Sequence, residues 1–151
     1  MNENKAPLAE KLATTLSDVV ILSSLAQGYH WNVIGPDFNE YHEFFGDIYE
    51  DVSGSIDPIA ENILKLGFEA PYLISDFLEL SKIREERIVG GTSAQMLESV
   101  MRANETMIYC LDELFKMADG MDEQGIADYT AGRIDMHKKW QWQIKAALGL
   151  R

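Results

Sequence analysis

Apolar residues recur at helical spacing over stretches far longer than a strand, and this limits the fold more than any other feature of the chain. From Leu8, the residues Leu12, Leu16, Val19, Ala26 and His30 follow one another at intervals compatible with 3.6 residues per turn. The spacing predicts a first helix from about Pro7 to Val33, stopped by Gly35 and Pro36. Eighteen residues, or five turns, separate Leu12 from His30, so His30 is expected on the core stripe at the helix end. A second helix is predicted from about Asp37, with Tyr41, Phe45, Ile48, Val52, Ile59, Ile63 and Leu66 as its stripe and Gly67 as the residue that ends it. Pro58 lies inside it and has no N–H for the carbonyl of Gly54. Because the periodicity continues on both sides, one kinked helix is expected there; the alternative is two helices meeting near Ser55.

Further on, Ser75 to Leu80 reads as a short helix and residues 89–93 as a loop. Thr92 or Ser93 can cap a third long helix running to about Ala118, with Met96, Val100, Ala103, Met107, Leu111 and Leu114 or Phe115 facing inward. A fourth runs from about Asp122 to Ala147 and carries Ile126, Tyr129, Ile134, Trp140 and Ile144. The fold class is therefore all-α, a four-helix bundle in a single domain spanning 1–151. The long connection between the second and third helices, with its own small helix, is how a ferritin-like bundle crosses from one end to the other.

Composition narrows the function. Twenty-five acidic residues against 13 basic ones give a formal net charge of -12, which argues against a general nucleic-acid binder and suits cations. Cys110 is the single cysteine, so neither an intramolecular disulfide nor a thiolate zinc cluster can form. The opening MNENKAPLAE lacks a basic region followed by an apolar run, and no apolar stretch is long enough for a bilayer. A reducing, cytoplasmic setting with no membrane partner is expected.

The chemistry-bearing residues are few. The Glu-x-x-His pattern of an intra-bundle di-iron centre is missing: Glu40 stands two residues before His42, and Ile134 three before His137. What remains is His30 and His42, with eleven residues between them, and Asp57 and Glu61, four apart on one helical face. Two carboxylates and two imidazoles suit Fe(II), Mn(II) or Zn(II). Taken singly, each is more often a cap, core or solvated residue than a ligand. Fifteen residues of helix separate His42 from Asp57, roughly 22 Å of rise, against metal–ligand bonds of about 2 Å. If the four act together they must come from two chains, and an antiparallel two-fold pairing would carry two equivalent sites.

The segments HWNVIGPDFNEYHEFF and DPIAENILKLG carry a specific resemblance. His30-Trp31-Asn32, Gly35, Phe38, His42, Asp57, Glu61 and Leu66-Gly67 match in identity and spacing the motif of the Dps family, the mini-ferritins known as DNA-binding proteins from starved cells. The likeness extends to the four-helix layout, the short crossover helix and Trp142 near the C-terminus. It implies a dodecameric shell and inter-subunit ferroxidase sites, with His30 and His42 from one chain and Asp57 and Glu61 from its neighbour as both metal ligands and catalytic residues. It further implies oxidation of Fe(II), preferably by hydrogen peroxide, with storage as ferric mineral and protection from oxidative damage; Zn or Mn can replace iron at such sites. By the same resemblance Trp31 lies beside the site as a radical quencher or packing aromatic, and Asp122 and Asp128 are candidate pore residues. DNA binding in this family usually relies on a basic tail. With only Lys5 and Lys11 in the first helix region and an acidic chain, no useful DNA affinity is expected.

Gly46 departs from the family pattern, which usually has an acidic residue four after the second histidine. Asp47 is one residue away, about 100° around a helix, and would replace it only through a local distortion such as a π-bulge. One strong metal position built on His30, Asp57 and Glu61 and one weaker position at His42 are expected. The alternative is a storage shell of weak ferroxidase activity. On residues alone, Gly46→Asp or Gly46→Glu should speed iron oxidation.

Overall fold

The computed structural model describes residues 3–151. Met1 and Asn2, part of the decapeptide read above for a leader, lie outside the described residues. After a short 3-10 turn at Glu3–Lys5 come α1 (Ala6–Asn32), α2 (Phe38–Ser53), α3 (Ile56–Lys65), α4 (Ile74–Leu80), α5 (Ser93–Gly120) and α6 (Gln124–Ala147). Among the described residues there is no strand, only a single bridge between Ile34 and Thr92. None of the described helices is long and apolar enough to cross a membrane.

The four long rods are α1, α2 with α3, α5 and α6. α1 packs against α2, α3, α4 and α5, and α5 packs against α6. The core is one continuous cluster: Leu8, Leu12, Leu16, Val19, Leu22 and Ala26 from α1 meet Phe45, Ile48, Val52, Ile59 and Ile63, with Met96, Val100, Met107, Leu111, Ile126 and Ile144 closing the other side. The crossover is tied down by polar contacts to α1. Asp18, fully buried, accepts hydrogen bonds from the Ser81 hydroxyl and the Lys82 N–H, both at 2.7 Å. Tyr29 donates to the Glu86 carbonyl at 2.8 Å.

Most predicted boundaries lie within a few residues of the observed ones, because their stop signals are local. Thr92 caps α5 by accepting from the Gln95 N–H. Gly67 adopts φ 93°, while Phe68 N–H reaches the Ile63 carbonyl and Gly67 N–H the Leu64 carbonyl, the Schellman arrangement that only a residue free of Cβ enters cheaply.

Two expectations are corrected. The second rod is not one kinked helix: α2 ends at Ser53 and α3 starts at Ile56. Pro58 leaves the Gly54 carbonyl without its helical donor, and Ser55 closes instead on Val52 through its N–H at 3.0 Å and its hydroxyl at 2.6 Å. Both linking residues keep right-handed helical backbone angles, which is why the apolar stripe runs through the break. His30 is not a core-stripe residue either. Tyr29 and Val33 take the buried positions, and His30 stands at the core's edge, half-buried. From Leu12 the buried apolar stripe steps to Leu16, Val19, Leu22, Ala26 and Tyr29, so it reaches Tyr29, one residue short of the position five whole turns from Leu12.

Candidate metal centre

His30 lies in the last turn of α1 and His42 in the second turn of α2, and the loop at residues 33–37 folds the two helices back on each other. The imidazoles stack, with ring centroids 3.9 Å apart and planes tilted by 13°. Phe38 covers the far side of His42 at 5.0 Å and 18°. Each histidine is held by the other's backbone: His30 Nδ1 donates to the His42 carbonyl at 2.5 Å, and His42 Nδ1 to the His30 carbonyl at 2.6 Å. A carbonyl can only accept, so both Nδ1 atoms carry the proton in the neutral rings. Both Nε2 atoms then present a lone pair, and neither has a hydrogen-bond partner among the described residues. This is the tautomer and the backbone anchoring that metal-binding histidines use.

The stacking also limits what the pair can ligate. A metal ion bound to imidazole lies in the ring plane, about 2 Å from the nitrogen. Two planes one ring-thickness apart and tilted by 13° do not meet within that reach. The stacked pair is therefore not arranged to chelate one ion together.

Asp57 opens α3 and Glu61 follows one turn later; both are exposed. Glu61 borders a shallow cleft with Asn62, Lys65, Glu123 and Tyr129. Among the described residues no three His, Cys, Asp or Glu side chains of one chain converge as a metal site. The fold thus brings the histidines together and leaves the carboxylate pair apart from them, as the helix rise requires. Trp31 is 64% exposed beside His30. Asp122 and Asp128, the candidate pore residues, are exposed at the start of the fourth rod, Asp122 in the turn before α6 with φ 59°. α2 stays a regular α-helix through Gly46, with no π-bulge. Asp47 therefore faces elsewhere, onto a groove shared with Glu40, Glu43, Phe44 and Trp142.

Sequence reasoning missed a second polar assembly, inside the bundle. Asp51 of α2 receives both Arg133 amino groups at 2.9 Å and Trp140 Nε1 at 2.8 Å. Arg133 also donates to His137 Nε2 at 3.1 Å, and His137 Nδ1 donates to Asn104 Oδ1 at 2.7 Å. Burial pushes the His137 imidazole down to about 3, with the neighbouring guanidinium acting in the same sense. Burial alone would raise the Asp51 carboxyl, but the hydrogen bonds from Arg133 and Trp140 hold it below its ordinary range. A carboxylate and an imidazole sit inside the bundle, yet a guanidinium occupies the place between them, so this is a structural network and not an intra-bundle metal site. A histidine preceded by Arg four residues earlier was the available signal, though it does not identify Asp51 as the partner.

Comparison with known proteins points one way. Residues 9–151 match the model of the ferritin-like domain. The chain is 31% identical to DNA protection during starvation protein 2 of Bacillus anthracis, over 92% of this chain and 94% of that one. Its structure is similar to that of a Dps protein from Bacillus brevis, with a TM-score of 0.92 at 29% identity, covering 98% and 99% of the two chains. The Dps protein of Vibrio cholerae O1, described as a member of a broad superfamily of ferritin-like diiron-carboxylate proteins, shares the fold at a TM-score of 0.91 and 24% identity, over 95% and 90%.

Proposed function

Since this chain belongs to the Dps branch of the ferritin-like family, we propose that it is an iron-storage and detoxification protein that oxidises Fe(II) at sites shared between two subunits. The observation that carries this is the histidine pair: two imidazoles, anchored through Nδ1, with neither Nε2 engaged by the described residues and the rings too nearly parallel for one ion. Asp57 and Glu61 of a neighbouring chain would supply the hard oxygen ligands and offset the charge gained as Fe(II) becomes Fe(III). His30 with the two carboxylates makes the stronger position, and His42 the weaker one. Hydrogen peroxide is the preferred oxidant in this reading. The product collects as ferric mineral inside a dodecamer, a cytoplasmic assembly that the acidic turn at Asp122 and Asp128 would supply with cations. The chain binds no DNA at physiological salt, since its net charge of -12 repels phosphate.

Mixed assembly tests the shared site. Subunits carrying His30→Ala and His42→Ala, and others carrying Asp57→Ala and Glu61→Ala, should each oxidise Fe(II) with peroxide no faster than buffer. Co-refolded, each heterologous two-fold pair regains one intact site of its two, so activity returns. Continued inactivity of a mixed oligomer shown by mass to contain both variants would exclude a site built from two chains. The storage-shell reading predicts iron uptake by the unmutated protein with only weak oxidation above the buffer rate.

A further inference from the structure

Phe38, His42 and Gly46 lie four residues apart on one stripe of α2. The His30 ring is inserted into that stripe from α1. The order of the stack is Phe38, His42, His30, then the bare backbone of Gly46. A Cβ on residue 46 would fall 2.9 Å from His30 Nδ1 and 3.0 Å from its Cε1, closer than such atoms approach without displacement. The atom it would strike first is the one that anchors His30 to the His42 carbonyl. The next nearest atom is His30 Cγ at 3.7 Å, so the three nearest side-chain neighbours of that position all belong to the one ring. The empty space at residue 46 is therefore occupied by the imidazole.

We propose that Gly46 is a positioning residue for His30: its missing side chain lets the imidazole stack under His42 and bond through Nδ1, which aims Nε2 at the metal. The proposal rests on the reading of His30 as a ligand. It also changes what the glycine means. In this backbone a side chain at residue 46 and the His30 ring in its present position compete for the same space, because any L side chain begins with the Cβ that meets the ring. The loss of one oxygen ligand is thus tied to the orientation of a nitrogen ligand.

The test uses Co(II) as a spectroscopic probe on the assembled protein, with Gly46→Ala, His30→Ala and the double variant. Alanine adds only the Cβ and favours the helix, so the melting temperature of Gly46→Ala should hold or rise while its Co(II) affinity falls. Disturbing the partner that orients a histidine ligand typically costs 10–100-fold in affinity, and a loss of at least tenfold is expected here. In the His30→Ala background, Gly46→Ala should change nothing further. A crystal structure of metal-free Gly46→Ala should show the His30 ring turned off His42 and its bond to the His42 carbonyl broken. Wild-type affinity in Gly46→Ala, an equal loss in the His30→Ala background, or an undisturbed ring would each overturn the proposal. If Co(II) binding by the unmutated protein does not depend on His30, the metal-site reading fails, and the ring position in the metal-free crystal still decides the role of Gly46.

Discussion

Acidification should destabilise this protein through His137 well before its carboxylates titrate. The imidazole is fully buried and lowered to about 3 from 6.5, chiefly by burial. The native state holds it neutral, with Nδ1–H on Asn104 and Nε2 accepting from Arg133, whereas the unfolded chain protonates it near its ordinary value. The depressed native value means that the unfolded state binds the extra proton as pH falls below 6.5, so stability is lost on acidification. The loss from this group is about 2 kcal/mol at pH 5 and would approach 4–5 kcal/mol, to order of magnitude, near pH 3. Asp51 does not contribute in the upper part of this window. Its carboxyl is lowered in the native state, so its contribution is retained until the pH nears the usual carboxylate range. Urea unfolding followed by tryptophan fluorescence at pH 7.5 and pH 5.0, at one protomer concentration, reads the effect. His137→Gln lowers stability at both values, but the pH-dependent part should shrink by about 2 kcal/mol relative to the unmutated chain. Parallel pH dependences for the two proteins would refute a neutral, buried His137.

Other outcomes follow from the same geometry. Gly46→Asp should slow peroxide-driven Fe(II) oxidation, opposite to what the missing carboxylate alone would imply, because its Cβ displaces His30; stopped-flow absorbance of the ferric product decides the sign. Asp51→Asn leaves the largely buried Arg133 without its counter-charge and should cost about 3 kcal/mol in urea unfolding. Gly67→Ala forces φ 93° on a residue with a Cβ and should cost about 1 kcal/mol, seen as a lower urea midpoint with an unchanged slope.

The sequence by itself determined the helical rods, their stop signals and the identity of the ligand candidates. Those features are local: a 3.6-residue apolar repeat, a glycine after Leu66, a threonine before Ser93, and spaced histidines and carboxylates are all written within a few turns. That His42 and Asp57 of one chain lie too far apart to share an ion was also legible, since helix rise is arithmetic. What only the tertiary structure decided is which groups meet across helices. His30 moved off the core stripe because Tyr29 and Val33 filled it. Asp51, Arg133 and His137 come from α2 and α6, and nothing in their spacing pairs them. The protonated nitrogen of each site histidine and the room left by Gly46 follow from two helices lying side by side. Hydrogen bonds and excluded volume act over a few ångströms in space, between residues that a one-dimensional pattern leaves far apart, 12 positions for His30 and His42 and 82 for Asp51 and Arg133.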